Sequence, residues 1–360
     1  MARTGGPAGP TLATVAREAR VSVPTASKVV NGREDVAPET RRRVTEALDR
    51  LGYVRRPRAG GAAYPSSLVD LVLPALGSSW SGAVLHGVEA AAAEAGLEIV
   101  VSAGLTTPRG YGPGRGRLHR LAARGSAGAL FSRAELTPSQ YAWLEQHRIP
   151  FVLIDPLVAP PPGVAGVGAD DRAGGRAATA HLLALGHRRI AFLGGPRHQL
   201  APAARAAGHR AALTAGGVPR HPAYERHTTL APADARREAL ALLALPEPPT
   251  AVHVCSDAMA LAVYEAAAER GVRVPEELSV VGCDDLPESR WAAPALTTVR
   301  RPLSDMAGTA LRLLVALMAA DGTAALRTDL PTRLVVRAST APPPGRAGTA
   351  PPPDRAGRLP

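Results

Sequence analysis

Acidic side chains follow short apolar runs at several places in the middle and C-terminal parts of the chain. They are Asp155, the pair Ser256 and Asp257, and the pair Asp284 and Asp285. Open α/β sheets bind ligands at the carboxyl ends of their strands, and carboxylates there accept hydrogen bonds from ligand hydroxyls. The sequence therefore predicts a ligand site at this edge. Two alternatives stay open, because Asp257 could cap a helix and Asp285 could hold a turn.

A second group of polar side chains lies near the N-terminus, in the segment VSVPTASKVVNG. Thr25, Ser27 and Lys28 can donate hydrogen bonds to base edges or phosphates. Val23 and Pro24 can read only thymine methyl groups or the shape of a groove. The alternatives are that Val23 packs against a preceding helix and that Lys28 is a solvated charge.

Residue patterns for catalysis or metal binding are absent from the sequence. The ten histidines and two cysteines form no H-x-x-x-H or C-x-x-C cluster, and no G-x-S-x-G nucleophile elbow occurs. Gly194-Gly195 lacks the spaced glycines of a dinucleotide-binding loop, so we expect a turn there. We predict no catalytic residue, no metal and no cofactor.

Three short amphipathic helices position the N-terminal group. Their apolar stripes follow the i, i+3, i+4 spacing: Leu12, Val15, Ala16 and Ala19; Ala26, Val29 and Val30; and Val44, Ala47, Leu48 and Leu51. Ser22 can cap the second helix, and Pro24 is tolerated in its first turn. This arrangement is typical of a helix-turn-helix module, whose second helix enters the DNA major groove.

The remainder of the chain alternates apolar runs with helical stretches. The predicted strands are 68–73, 97–101, 128–131, 151–154, 190–193, 252–255, 278–282 and 334–336, with helices near 80–95, 171–185, 202–215, 257–270 and 303–320. Runs of this kind indicate parallel strands buried on both faces. Two such series predict two similar lobes with a cleft between them, and residues 296–299 are expected to cross back to the first lobe.

Charge and composition point to a nucleic acid partner. The net charge is +11, and residues 1–63 contain 12 Lys and Arg against 6 Asp and Glu. Two cysteines fit a reducing compartment, and we expect no signal peptide and no membrane span. The expected location is therefore the cytoplasm, in association with the nucleoid.

Three segments resemble the LacI/GalR family of bacterial transcription repressors in the family's own order. They are VSVPTASKVVNG with APETRRRVTEALDRLGY, DDRAGGRAATAHLLALGHRRIAFLGG, and PEELSVVGCDDLPESRWAAPALTTVRRP. The resemblance spans Thr11 to Thr340. It implies a homodimer that binds double-stranded operator DNA and whose DNA affinity is changed by a small sugar-like or nucleoside-like effector.

The resemblance also implies roles for individual residues. Arg205, in an R-x-x-G pattern, and Asp284, in a G-x-D-D motif, match effector-binding positions of the family. The full predicted effector set is Trp80, Asp155, Arg205, Ser256, Asp257 and Asp284. The predicted DNA-binding set is Thr11, Ser22, Val23, Pro24, Thr25, Ser27, Lys28, Asn31, Arg55, Arg56 and Arg58, although Thr11 and Asn31 could simply cap helices. One phosphate contact is also expected among Arg41, Arg42 and Arg43.

The segment after the third helix departs from the family. Ala62, preceded by Gly60 and Gly61, stands where most members carry a leucine that wedges into the minor groove. Because two glycines disfavour a helix and alanine buries little, we expect Arg55, Arg56 and Arg58 to hold the minor groove electrostatically instead.

The predicted architecture is an all-α helix-turn-helix headpiece followed by an α/β two-lobed domain of the periplasmic-binding-protein type with parallel sheets. The predicted domains are a flexible N-terminus (1–10), the DNA-binding domain (11–56), a hinge (57–67), the effector-binding and dimerisation domain (68–340) and a disordered Pro-rich tail (341–360). The predicted function is a ligand-responsive repressor of sugar-metabolism genes. A solute-binding protein without a DNA role is the main alternative, and an enzyme acting on a sugar or nucleotide is a weaker one.

Overall fold

The computed structural model describes residues 11–30, 36–51, 67–104, 106–107, 110–319 and 327–345. The chain divides into two compact units, Met1–Tyr64 and Pro65–Pro360. Within these described ranges, no helix is long and apolar enough to cross a membrane.

The N-terminal unit contains three helices, as the apolar spacing predicts. They are α1 (Leu12–Glu18), α2 (Val23–Val30) and α3 (Pro38–Leu51). The stripes meet in one small core of Val15, Ala16, Ala19, Ala26, Val29, Val36, Val44 and Ala47. An ion pair of 2.7 Å between Arg50 of α3 and Glu18 of α1 ties the first and third helices together.

The C-terminal unit is built on two six-stranded sheets. The first lobe contains β1 (Leu68–Leu73), β2 (Glu98–Ala103), β5 (Gly128–Ser132), β6 (Phe151–Ile154), β7 (Gly166–Ala169) and β13 (Arg327–Leu330), with β3 (Thr106–Thr107) and β4 (Gly110–Tyr111) as a separate two-stranded ribbon. The second lobe contains β8 (Ile190–Gly194), β9 (Glu225–His227), β10 (Ala251–Val254), β11 (Ser279–Asp284), β12 (Thr297–Arg300) and β14 (Arg333–Val335).

The strands are almost all parallel, and helices cover both faces of each sheet. The orders are β13-β7-β6-β5-β1-β2 and β14-β12-β11-β10-β8-β9, and only β14 pairs in an antiparallel manner among the described strands of these sheets. The first lobe carries α4 (Ser79–Ala95), α5 (Arg115–Arg124), α6 (Pro138–Gln146) and α12 (Leu303–Met318). The second carries α7 (Asp171–Ala184), α8 (Leu200–Ala215), α9 (Pro232–Leu243), α10 (Asp257–Glu269) and α11 (Pro287–Trp291). This is the predicted two-lobed α/β architecture.

The chain passes between the lobes three times, at Asp170, at Arg301-Pro302 and at Pro331-Thr332. The first and third crossovers are joined, because Asp170 donates its amide to the Leu330 carbonyl at 2.8 Å and accepts at its own carbonyl from Thr332 Oγ1 at 3.0 Å. These segments therefore form a shared hinge region.

Two sequence predictions require correction. Residues 296–299 do not cross back to the first lobe, because β12 pairs with β11 in the second sheet and the crossover follows it. The predicted start of the tail at residue 341 is also too early, because Ala341 is still bonded to the second lobe. Its amide donates to Ser279 Oγ at 3.0 Å, and its carbonyl accepts from the same hydroxyl at 3.0 Å. Residues 346–360 lie outside the described part.

Candidate functional site

The start of α2 presents several of the predicted DNA-binding residues at the surface. Ser22 Oγ accepts from the Thr25 amide at 3.2 Å, which is the predicted capping contact. Val23 is 43% exposed and does not pack into the helical core. Pro24 and Lys28 are also exposed, and Thr25 and Ser27 are half-buried. The first turns of the helix therefore offer the side chains that a major-groove contact would use.

Other predicted DNA contacts have different surroundings. Thr11 caps α1, because its hydroxyl accepts from the Thr14 amide at 3.2 Å, as the capping alternative anticipated. Arg42 pairs within its own helix with Glu39 at 2.6 Å and Glu46 at 3.5 Å, as expected of a solvated face. The predicted residues Asn31, Arg55, Arg56 and Arg58, and the hinge position Ala62, lie outside the residues that the structure describes.

A buried network of charged residues lies where the two lobes meet. Arg301, on the second crossover, binds Asp155 of the first lobe through two hydrogen bonds of 2.6 and 3.1 Å. Arg301 also contacts Asp171, at the start of α7, with 3.1 Å between Nε and Oδ1. The bidentate pair at Asp155 fixes the orientation of both side chains.

Arg205 of α8 extends the same network in the second lobe. Its Nε donates to Asp171 Oδ1 at 2.9 Å, and its Nη1 donates to the Cys255 carbonyl at the end of β10. Asp171 thus bridges two arginines that are each at most 5% exposed. The predicted residues Asp155, Arg205 and Asp284 come together here. Asp171 and Arg301, which are not among the predicted residues, complete the cluster.

Asp284 is the least satisfied carboxylate of this network. Among the described residues, its nearest cation nitrogens lie at 3.6 Å, on Arg301, and at 3.9 Å, on Arg205. Its Oδ1 atom is buried and accepts no hydrogen bond from any described residue. Buried polar groups in proteins are nearly always paired, so this oxygen is available to a ligand hydroxyl.

The pKa values of Asp155 and Asp284 are shifted in opposite directions, as their contacts require. Burial raises the pKa of both groups, but the charge and hydrogen bonds of Arg301 overcome burial at Asp155 and lower its pKa. At Asp284 burial prevails over the more distant Arg205 and Arg301, and its pKa is raised. Asp155 therefore stays ionised, whereas the protonation state of Asp284 changes more readily with the groups that lie beside it.

Backbone strain marks the same edge of the sheets. Arg133, Asp155 and Asp284 have φ values of 49°, 51° and 116°, and they lie at or directly after the carboxyl ends of β5, β6 and β11. Residues other than glycine rarely adopt this region, and such conformations cluster at ligand sites.

Three other predicted effector residues have distinct placements. Ser256 caps α10 by accepting from the Met259 amide at 3.3 Å. Asp257 is fully buried, and its two oxygens accept from the Leu286 amide at 2.9 Å and from Thr298 Oγ1 at 2.5 Å. Both oxygens of Asp257 are thus engaged within the second lobe, and we assign it to the scaffold. Trp80 of α4 is 5% exposed, and its Nε1 has no partner within the described residues.

Asp285 has a structural role, as the turn alternative predicts, because it pairs with Arg300 and Arg337 of the second lobe. The described residues contain no group of three or more histidine, cysteine or acidic side chains arranged to hold a metal ion.

Comparison with known proteins identifies both units. A model of the bacterial regulatory proteins of the lacI family matches residues 11–56, and a model of the periplasmic binding protein-like domain matches residues 179–340. An HTH-type transcriptional regulator encoded in the aml 5′ region of Streptomyces limosus is 37% identical, covering 94% of this chain and 97% of its own.

Solved structures match over the same length. A cellobiose complex of the transcriptional regulator CelR has a TM-score of 0.69 and 32% identity, covering 92% of this chain and 99% of that one. The lac repressor dimer bound to operator and an anti-inducer has a TM-score of 0.68 and 27% identity, covering 93% and 100%. With a helix-turn-helix headpiece, a two-lobed α/β domain and these relatives, the chain belongs to the LacI family of DNA-binding transcription regulators.

Proposed function

We propose that this regulator is a homodimeric repressor whose operator affinity changes when a sugar-like molecule binds between the lobes. The observation that carries the proposal is the Asp284 Oδ1 atom, which accepts no hydrogen bond from a described residue and lies beside the guanidinium groups of Arg205 and Arg301. A polyhydroxylated ligand can donate to Asp284 and accept from the arginines at the same time.

Further unpaired polar atoms support a ligand of this kind. Trp80 Nε1 and Ser132 Oγ in the first lobe are buried donors, and Gln199 Oε1 at the start of α8 is a buried acceptor, each without a partner in the described part. Leu200, next to Gln199, donates its amide to the Leu157 carbonyl of the first lobe at 2.8 Å, so this helix end faces the other lobe.

The relatives support the class of ligand and the mode of DNA binding. CelR is a relative with cellobiose bound, and the lac repressor is a relative that binds operator as a dimer. Because a single small headpiece offers little contact area, two headpieces on adjacent half-sites are the expected arrangement.

The experiment uses DNA selected by the wild-type protein from a random pool and a panel of sugars and nucleosides screened by thermal stabilisation. We expect Asp284→Asn and Arg205→Ala to bind the selected DNA like wild type and to lose ligand affinity about tenfold to a hundredfold. Arg237→Ala, an exposed arginine paired with Asp234 on α9, is the matched control and should respond normally.

A normal ligand response of Asp284→Asn in a DNA-binding titration would contradict this assignment. The isosteric asparagine also guards against misfolding, because it leaves the Arg205–Asp171 contact in place. Failure of the wild-type protein to select any DNA sequence would favour a solute-binding role instead.

A further inference from the structure

A cationic side chain outside the central network stacks on an aromatic ring at the edge of the first sheet. The Arg133 guanidinium carbon lies 5.2 Å from the centroid of the Trp80 ring. Arg133 follows β5, Trp80 lies in the first turn of α4 after β1, and these strands are neighbours. Asp155 follows β6 on the other side of β5, so the stacked pair borders the predicted cleft.

The charge of Arg133 is not balanced by a carboxylate in the described part of the chain. Arg301 binds Asp155 and Asp171, and Arg205 binds Asp171, but no acidic oxygen of a described residue lies within 4.0 Å of a nitrogen of Arg133. Burial raises the pKa of Asp155 and Asp284, and Arg133 is among the cations that oppose this effect at both. Its field therefore reaches the centre of the site.

The backbone of Arg133 is held in a conformation that arginine seldom adopts. Its φ of 49° lies in the left-handed region, and its amide donates to the Ile154 carbonyl at 2.8 Å. The neighbouring strand thus fixes the turn that presents the side chain, and strain of this kind is retained where a site requires a particular direction.

Two further hydrogen-bond donors belong to the elements that carry this pair, β5 and α4. Ser132 Oγ, one residue earlier on β5, and Trp80 Nε1 are both buried and both lack a partner within the described residues. A serine hydroxyl, an indole N–H and a guanidinium together form a set of donors. A group rich in acceptor oxygens, carboxylate or phosphate, complements such a set, and the cation–π contact holds the guanidinium in place.

We propose that Arg133 is a specificity-determining residue, and that the effector is an acidic sugar whose carboxylate or phosphate binds Arg133, Ser132 and Trp80 in the first lobe. This inference rests on the proposed function of the cleft. The hydroxyls of the same molecule face Asp284 and Arg205, and the anionic group selects it over neutral sugars.

Calorimetry on neutral and acidic forms of one sugar tests the proposal. The probes are D-glucose, D-gluconate and D-glucose 6-phosphate, with the corresponding galactose and ribose series. We expect one acidic compound to bind at least tenfold more tightly than its neutral parent. Arg133→Met should remove this preference, so that the acidic compound binds no more tightly than its neutral parent in the same variant, and Arg133→Lys should keep most of it.

Arg148→Met is the matched control. Arg148 is an exposed arginine of the same lobe that also has a positive φ, 50°, but it lies at the amino end of β6, away from the cleft. Its loss should leave the preference unchanged. Binding of neutral sugars alone, or an unchanged preference in Arg133→Met, overturns the inference while the proposed function stands. Binding of no compound in the panel contradicts both.

Discussion

At the scale of single residues, Asp155 and Asp284 differ in how closely cations approach their carboxylate oxygens. Asp155 receives a bidentate guanidinium, whereas Asp284 Oδ1 has cations only at 3.6 and 3.9 Å and accepts no hydrogen bond from a described residue. Because burial raises the pKa of Asp284, a donating ligand hydroxyl would favour its ionised form. Ligand and proton therefore compete for Asp284.

This competition gives ligand binding a pH dependence. Above the raised pKa of Asp284 the affinity should be constant, and below it each further pH unit should weaken binding by about tenfold. Asp155 does not contribute in this range, because Arg301 lowers its pKa. Calorimetric titration of a ligand found in the thermal screen, repeated at decreasing pH, measures the effect.

Asp284→Asn provides the control for this prediction. The variant should bind the ligand more weakly at neutral pH and should lose the acid dependence. A pH profile that is the same in wild type and Asp284→Asn would assign the titration to another group.

The sequence predicted some of these residues and missed others for a physical reason. Asp155, Arg205 and Asp284 follow apolar strands or lie in motifs, so each is visible in a local pattern. Asp171 and Arg301 lie at crossovers between lobes, and only the assembled fold brings them together. Arg301 directly follows the end of β12, and this position after a strand is the one local signal that could have identified it.

At the scale of elements, the packing of α7 against α8 holds Arg205 in position. The helices approach closely at two glycines: a Cβ atom on Gly175 would overlap the Arg205 carbonyl, and one on Gly208 would overlap the Arg172 carbonyl. These overlaps involve backbone atoms of a neighbouring helix, which cannot move without displacing it. In the R-x-x-G pattern, the arginine therefore makes the charged contact and the glycine allows the two helices to pack closely.

Gly208→Ala should accordingly destabilise the protein by about 1–3 kcal/mol and weaken ligand binding, because the added methyl group pushes α8 and Arg205 away from α7. Urea unfolding and calorimetry measure the two effects. Gly82→Ala is the matched control, since a Cβ at this exposed position on α4 meets no atom within 4 Å.

Alanine at position 82 should be neutral or stabilising by up to about 1 kcal/mol, because it favours the helix. Equal effects of the two substitutions would contradict the packing argument.

The sequence also predicted most elements of the α/β domain, but helices α5, α6, α9 and α11 and several strands without apolar runs were not predicted. Gly166–Ala169 is rich in glycine, and Arg327–Leu330 alternates polar and apolar residues at a sheet edge, so neither was selected. The wrong prediction that residues 296–299, which include most of β12, cross back to the first lobe had another cause. A strand's sheet is decided by its partners, here β11 and β14, and not by its composition.

At the scale of the whole molecule, the charged network joins the segments that connect the lobes. Arg301 lies on one crossover, and Asp171 directly follows another, so their contact links two of the three connections to Asp155 of the first lobe. A ligand at this point can favour one arrangement of the lobes, but only by its difference in affinity between the arrangements. The same free-energy coupling must then appear in DNA binding and in ligand binding.

The most direct test of this regulator's central property is a closed binding cycle. Affinity for the selected DNA is measured with and without the stabilising ligand, and affinity for the ligand is measured with and without that DNA. We expect both ratios to agree and to be about fivefold or more in wild type, and to approach one in Asp284→Asn. A wild-type ratio of one, with tight binding of both DNA and ligand, would contradict a ligand-responsive regulator.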